Sequence, residues 1–277
     1  MNDTDLNEQS AALPSWALYP LTLVLALLFL YVLYRQRRLI VRMALFIPWI
    51  RYLAAFFHEW TFVPIAGGMS PNALISSAVF LLGLMVVKKK HLLLKVLLPC
   101  YLLMMVIVIS GLANHQIGGT IDAVVKFGYL VVVCVSVYEA LGAIGEPRMS
   151  KLLLWPFVMP LVFQMISIAL GIKKIGEDSD TSISYVGGYN HEAAFSIIIM
   201  TGLVITSFAS DLRRSFRMAI FLTCVVSIIF ANYRTTILAI APIVLIQFNQ
   251  DLLSPFRRSH RRVVVVATGA LSLIAVA

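Results

Sequence analysis

The chain consists largely of apolar runs that are long enough, or nearly so, to cross a lipid bilayer. The apolar core of a bilayer is about 30 Å thick, which takes about 20 helical residues to span. Only 13% of the 277 residues are charged and 60% are hydrophobic, whereas a soluble domain carries about 25% charged residues. We therefore predict an all-α, polytopic transmembrane bundle of about ten spans, forming a single domain over residues 1–277. The ten runs are 13–34, 39–57, 71–87, 92–109, 123–143, 152–172, 191–209, 218–232, 233–248 and 263–277.

The positions of the cations predict how these spans are oriented. Lys and Arg outnumber Asp and Glu by 22 to 13, a formal net charge of +9, and they cluster in alternate loops. Polytopic proteins keep such loops in the cytoplasm, so topology explains the basic balance and we expect no nucleic-acid partner. The acidic, cation-free residues 1–10 then lie outside. The predicted cytoplasmic clusters are 35–38, 88–90, 148–151, 213–217 and 257–262.

Two of the runs depart from this pattern. The run 39–57 contains Arg42 and Arg51, and a central Arg costs about 2.5 to 3.5 kcal/mol on insertion scales. It is still expected to cross, because the clusters at 35–38 and 88–90 would otherwise lie on opposite sides. The run 263–277 spans only about 22 Å at 1.5 Å per residue, so the chain is expected to end within its tenth span. Either the final helix is half-inserted, or, as we favour, the sequence is the N-terminal part of a longer protein.

Polar residues gather where the seventh run begins, on the predicted outer face. Lys173 and Lys174 precede this region, and Gly187 and Gly188 allow a tight turn there. Asn190 is a favourable N-cap. A helix that starts at this face points its free N–H groups and the positive end of its dipole outward, which favours an anion.

The ninth run begins in a similar way, with Arg234 in its first turn. A cation there interacts unfavourably with the positive end of the helix dipole, so an anionic partner would stabilise it. Together with Lys173, Lys174, Gly188 and Asn190, Arg234 is predicted to form a cradle for a phosphate or diphosphate. The alternative is that these cations only contact lipid headgroups at the interface.

Residues for acid–base chemistry also occur on the predicted outer face. His191 and Glu192 are the candidate catalytic residues, because a His or a carboxylate can accept a proton near neutral pH. Sequence neighbours point in different directions on a helix, so adjacency does not make them a dyad, and interfacial hydrogen bonding is the alternative role. His58 and His115 are further histidines on this face. The sequence contains no metal-ligand spacing and no phosphate-binding loop, so we expect no cofactor.

Two helix starts in the second half of the chain resemble motifs of the O-antigen ligase and O-antigen polymerase family. Members show a Gly-rich turn with an Asn-rich helix start, and later a Ser-Arg-Thr-like helix start followed by a basic cytoplasmic loop. The resemblance covers about 187–262, with Tyr233 at the position of the family's Ser. The matching segments are Gly188-Tyr189-Asn190-His191-Glu192-Ala193-Ala194 and Asn232-Tyr233-Arg234-Thr235-Thr236-Ile237-Leu238-Ala239.

The resemblance implies glycosyl transfer in lipopolysaccharide or polysaccharide biosynthesis at the periplasmic face of the bacterial inner membrane. The donor would be an undecaprenyl diphosphate-linked glycan and the acceptor a glycan or lipid, with neither metal nor nucleotide. By the same resemblance Arg234 binds the diphosphate. The family's essential His lies on a loop beyond the end of this chain, so the resemblance also implies a C-terminally truncated member. The alternatives are a transporter or flippase for a polyprenyl-linked or anionic solute, and a non-catalytic scaffold.

Overall fold

Helices dominate the computed structural model, which describes residues 13–65, 69–175 and 183–252. Two short strands, β1 (Lys174–Ile175) and β2 (Ile183–Ser184), pair antiparallel with Lys174 opposite Ser184. The α-helices of the described residues are α1 Ser15–Tyr34, α2 Leu39–Phe56, α3 His58–Thr61, α4 Pro71–Val86, α5 Lys89–Leu92, α6 Leu98–Ala113, α7 Ile117–Ile144, α8 Glu146–Leu153, α9 Val158–Ala169, α10 Glu192–Phe208, α11 Arg214–Ala231 and α12 Arg234–Leu252.

Six helical segments of the described residues are long and apolar enough to cross a membrane by length and composition. Such segments satisfy their own backbone hydrogen bonds, as a bilayer interior requires. They indicate an all-α membrane protein, as the sequence predicts. The segments are Ser15–Tyr34, Leu39–Phe56, Lys95–Ala113, Ile117–Ile144, Glu146–Ala169 and Arg214–Ala231, with shorter apolar helices at Pro71–Val86, Glu192–Phe208 and Arg234–Gln247.

The predicted runs up to residue 248 all overlap helices, but several boundaries differ. The run 152–172 is divided between α8 and α9 by a 3-10 turn at Trp155–Phe157. Pro156 accounts for this interruption, because it lacks an N–H group and its ring restricts the preceding backbone. Helix α7 begins at Ile117, six residues before the predicted start at 123. The run 263–277 lies outside the described residues.

The chain divides into two compact units. We call residues 14–159 the N-terminal unit, and residues 160–277 with residues 1–13 the C-terminal unit. In the N-terminal unit, α7 packs against α2, α4 and α6. A Cβ added to Gly83 of α4 would overlap the side chain of Val132 on α7, so the missing side chain is what lets these helices approach closely, as is common between membrane helices.

The arginines of α2 find hydrogen-bond acceptors within the N-terminal unit. Arg42 donates from Nε to Gln36 O at 2.6 Å. Arg51 donates to Asn72 Oδ1 and lies 3.4 Å from Ser76 Oγ, both on α4. Arg51 thus bonds a neighbouring helix, because a guanidinium in apolar surroundings is stabilised by any acceptor within its reach.

The described part of the C-terminal unit is built around α10, which packs against α11 and α12. Helices α11 and α12 are joined by two residues, Asn232 and Tyr233. Asn232 adopts a left-handed conformation (φ +55°) and ends α11, a conformation that Asn tolerates better than most residues. The fully buried side chains of α10 and α11 include Phe195, Ile199, Leu203, Phe221 and Ile228.

Candidate functional site

Residues 183–185 hold the junction between α11 and α12. Asn232 donates from Nδ2 to Ile183 O at 3.2 Å. Tyr185 N donates to Phe230 O at 2.9 Å, and the two rings meet edge to face at 5.8 Å. The start of α12 therefore lies beside β2 and the residue that follows it.

The same segment also holds the start of α10. Ser184 is buried and donates from Oγ to Glu192 Oε1 at 2.6 Å. Glu192 is the first residue of α10, where a carboxylate is stabilised by the helix dipole. Across the strand pair from Ser184, Lys174 donates from Nζ to Asn190 O. Lys174, Asn190 and Glu192 are thus gathered around one strand residue.

The helix cap differs from the sequence prediction by one residue. The N-cap of α10 is His191, in an extended conformation and without a side-chain cap bond, so the prediction of Asn190 as the cap is wrong. The backbone carbonyl of Asn190 accepts a hydrogen bond from Lys174, and its Nδ2 lies 3.3 Å from His191 Nε2. The backbone carbonyl and the side-chain nitrogen of Asn190 are therefore both engaged. Asn190 and His191 are exposed.

Two glycines turn the chain into α10. Tyr189 N donates to Val186 O at 3.2 Å, closing a turn in which Gly187 (φ +60°) and Gly188 (φ +89°) both adopt positive φ. Only Gly visits this region without strain at two successive positions. A Cβ on Gly187 would lie 2.6 Å from the backbone nitrogen of Gln164. Gly188 is buried, so it contributes a turn rather than an exposed contact.

A buried amide of α9 ties this turn region to α11. Gln164 donates from Nε2 to Tyr185 O at 2.8 Å and to Ser227 O at 2.9 Å, and its Oε1 accepts from Ser227 Oγ. The side chain is 1% exposed. Sequence reasoning missed both Gln164 and Ser184. A lone amide inside the apolar run 152–172 was the available signal for Gln164, because such a group needs partners.

The three cations of the predicted cradle differ in whether they have a hydrogen-bond or ion-pair partner among the described residues. Arg234, the first residue of α12, is exposed and has no hydrogen-bond or ion-pair partner among the described residues. The side chain of Lys173 is likewise exposed and unpaired within the described part of the chain. Lys174, in contrast, is held by Asn190 O. Among the described residues, Arg234 and Lys173 are therefore the two cations of the predicted cradle that have no partner.

Other candidates lie elsewhere in the chain. His58 begins α3 and His115 lies in the turn between α6 and α7, so both belong to the N-terminal unit. Within residues 13–65, 69–175 and 183–252, no group of three His, Cys, Asp or Glu side chains has the arrangement of a metal site. We use the name polar cluster for the polar residues beside β1 and β2 and at or just before the starts of α10 and α12, which are Lys173, Lys174, Ser184, Asn190, His191, Glu192 and Arg234.

Comparison of the chain with protein-family models, with curated proteins and with solved structures finds no match. The chemistry of its own residues is therefore what indicates a function.

Proposed function

We propose that the C-terminal unit binds a lipid-linked diphosphate, and that the chain acts as a membrane glycosyltransferase of the O-antigen ligase or polymerase type. One observation carries this proposal: residues 183–185 connect the start of α10 to the junction before α12. The carboxylate of Glu192 and the junction that immediately precedes Arg234 are thereby attached to a single short segment. A proton acceptor and a cation in one region are what transfer from a diphosphate donor requires.

The proposed reaction uses these groups in the following way. The acceptor hydroxyl oxygen attacks the anomeric carbon of an undecaprenyl diphosphate-linked glycan, and the bond from that carbon to the diphosphate oxygen breaks. Arg234 and Lys173 stabilise the negative charge of the leaving diphosphate, for which Arg offers bidentate contacts. Glu192 or His191 takes the hydroxyl proton. Glu192 is the stronger candidate, because Ser184 orients its Oε1 while Asn190 Nδ2 engages Nε2 of His191.

The proposal includes a topology of ten spans, with the N-terminus outside and the polar cluster at the periplasmic face of the bacterial inner membrane. Contacts in the N-terminal unit support the alternation of its loops. Arg38 donates to Ala143 O, and Arg38 and Lys88 line the same cavity. The loops that follow α1, α4 and α7 therefore meet at one end of this unit, as they must if all three are cytoplasmic. The lipid-linked donor, the glycan or lipid acceptor and membrane lipids are the proposed partners.

Substitution of Arg234 tests the proposed function. In cells that carry the change in the protein's own gene, Arg234→Ala should lower the amount of ligated or polymerised glycan by at least about a hundredfold, because a fixed charge at the leaving group is lost. Arg234→Lys keeps the charge without the bidentate geometry, so it should retain part of the product. Glycan is measured on gels, and the amount of protein in the membrane by immunoblotting.

The matched control is Lys126→Ala, which removes an exposed cation of the N-terminal unit that pairs with the exposed Asp122. It should leave the glycan product unchanged, because exposed ion pairs contribute little to stability. Wild-type product from Arg234→Ala cells with a normal level of protein would contradict the proposal. The transporter or flippase alternative would be favoured if isolated vesicles accumulated a solute or translocated a lipid, while glycan linkage in the Arg234→Ala cells was unaffected.

A further inference from the structure

A cavity of about 990 Å³ opens in the N-terminal unit where the start of α2 and the ends of α4 and α7 meet. This volume is within the range of ligand-binding pockets, about 300 to 1,000 Å³. The proposed glycosyl-transfer chemistry uses none of its residues. Its lining combines ionisable groups with apolar side chains.

Two cations of the cavity lining, Arg38 and Lys88, have N–H groups without a partner among the described residues. Glu139 on α7 has a buried side chain, and its Oε1 accepts from Lys88 N at 2.7 Å and lies 2.9 Å from His91 Nδ1. Its charge is therefore engaged within the protein and holds the start of α5 in place. Arg38 uses one Nη group on Ala143 O, which leaves its other N–H groups available. The ammonium group of Lys88 has no partner among the described residues.

The apolar part of the lining comes from the membrane-spanning helices themselves. Leu39 and Ile40 start α2, and Met85 and Val86 end α4. Leu39 is 62% exposed and Met85 is 82% exposed. Apolar side chains this exposed at the end of a membrane helix suit contact with hydrocarbon chains. The cavity thus offers positive charge beside a surface for acyl chains.

We propose that this cavity binds an anionic phospholipid, with its phosphate on Arg38 and Lys88 and the upper part of its acyl chains on Leu39 and Met85. A free phosphate ion makes no use of the apolar lining. A zwitterionic lipid brings a cation of its own toward Arg38 and Lys88, whereas an anionic headgroup leaves a net attraction. Guanidinium and ammonium groups are the usual ligands of phosphate in proteins.

Native mass spectrometry of the purified full chain in detergent tests this site. Phosphatidylglycerol should bind about tenfold more tightly than phosphatidylcholine, because two charge-assisted contacts favour it. Inorganic phosphate at the same concentration should not displace it. The double variant Arg38→Ala with Lys88→Ala should lose the preference. The matched control, Arg37→Ala with Lys90→Ala, removes the same charge from the same two loops without touching the cavity lining and should keep it.

A second variant fills the cavity and leaves its charges in place. Gly142 lines the cavity, and a Cβ built there meets no atom within 4 Å among the described residues. Gly142→Leu should therefore fold and weaken phosphatidylglycerol binding. Gly118→Leu, in an equally open position of α7, should not. The proposal would be overturned if the double variant Arg38→Ala with Lys88→Ala and the variant Gly142→Leu both kept the lipid preference. It would also be overturned if the Arg37 and Lys90 control lost the preference equally, or if inorganic phosphate displaced the lipid.

Discussion

Two glycines of the C-terminal unit share a backbone conformation but differ in their surroundings. Gly171 has φ +67° and an added Cβ would meet nothing within 4 Å of the described residues. Gly187 has φ +60°, and its added Cβ would lie 2.6 Å from Gln164 N and 2.7 Å from Phe163 C. Positive φ alone costs a residue with a side chain about 1 to 2 kcal/mol. Gly187 adds to this a contact with backbone, which cannot rotate away.

We therefore expect Gly187→Ala to destabilise the protein more than Gly171→Ala does. Gly171→Ala should cost about 1 kcal/mol from conformation alone, and Gly187→Ala about 1 to 3 kcal/mol more from overpacking. Thermal unfolding of the two variants in the same detergent measures the difference. Equal midpoints would show that the approach of α9 to this turn is not as close as the structure has it.

The turn before α10 could be predicted from the sequence more exactly than the N-cap of that helix. The need for glycine at 187 and 188 is local, so the turn could be predicted from the Gly-Gly pair itself. The cap could not be placed to the residue, because the choice between Asn190 and His191 depends on Lys174, which lies 16 residues away along the chain. The roles of Arg234 and Glu192 in catalysis remain predictions.

At the scale of elements, α9 is bound to α11 by the pair Gln164 and Ser227. In a buried setting, Ser227 Oγ donates to Gln164 Oε1, and Gln164 Nε2 donates to the backbone carbonyl oxygens of Ser227 and Tyr185. Hydrogen bonds between membrane helices contribute on average about 0.6 kcal/mol and up to about 2 kcal/mol. The position of the segment before α10 thus depends on a side chain of a different helix.

A double-mutant cycle measures this coupling. Gln164→Leu removes the donor to two carbonyl oxygens, those of Tyr185 and Ser227, and Ser227→Ala removes the donor to Gln164 Oε1. Each change should therefore lower the unfolding midpoint in detergent. The two effects should be less than additive, with a coupling energy of about 0.5 to 2 kcal/mol, because either change removes the bond between the two side chains. Strictly additive effects would mean that the pair does not interact.

At the scale of the whole molecule, the topology can be checked by labelling single cysteines. Cys100, Cys134 and Cys224 are all free, so each is replaced by Ala before Arg148→Cys or Lys173→Cys is introduced. Both positions are exposed. A maleimide that cannot cross the inner membrane should label Lys173→Cys in cells with a permeabilised outer membrane, and Arg148→Cys only after lysis. Labelling of both from the same side would contradict the proposed topology, and with it a periplasmic site for Lys173.

The sequence alone was sufficient for the all-α fold and for most helix positions. A bilayer forces each span to satisfy its backbone bonds internally, so a run of apolar residues already specifies a helix. Interruptions such as that at Pro156 are also local. The exact helix ends were less predictable, because α7 begins at Ile117, in a largely exposed stretch that precedes its apolar run.

Only the tertiary structure decided which polar groups meet. The bonds of Ser184 to Glu192, of Asn232 to Ile183 and of Gln164 to Ser227 join segments separated by up to 63 residues. No periodicity encodes such pairs, because buried polar groups take whatever partners the packing of helices brings within reach. The sequence determined that α10 and α12 begin with ionisable residues. The packing of α9, α10 and α11 determined that one short segment connects those two beginnings.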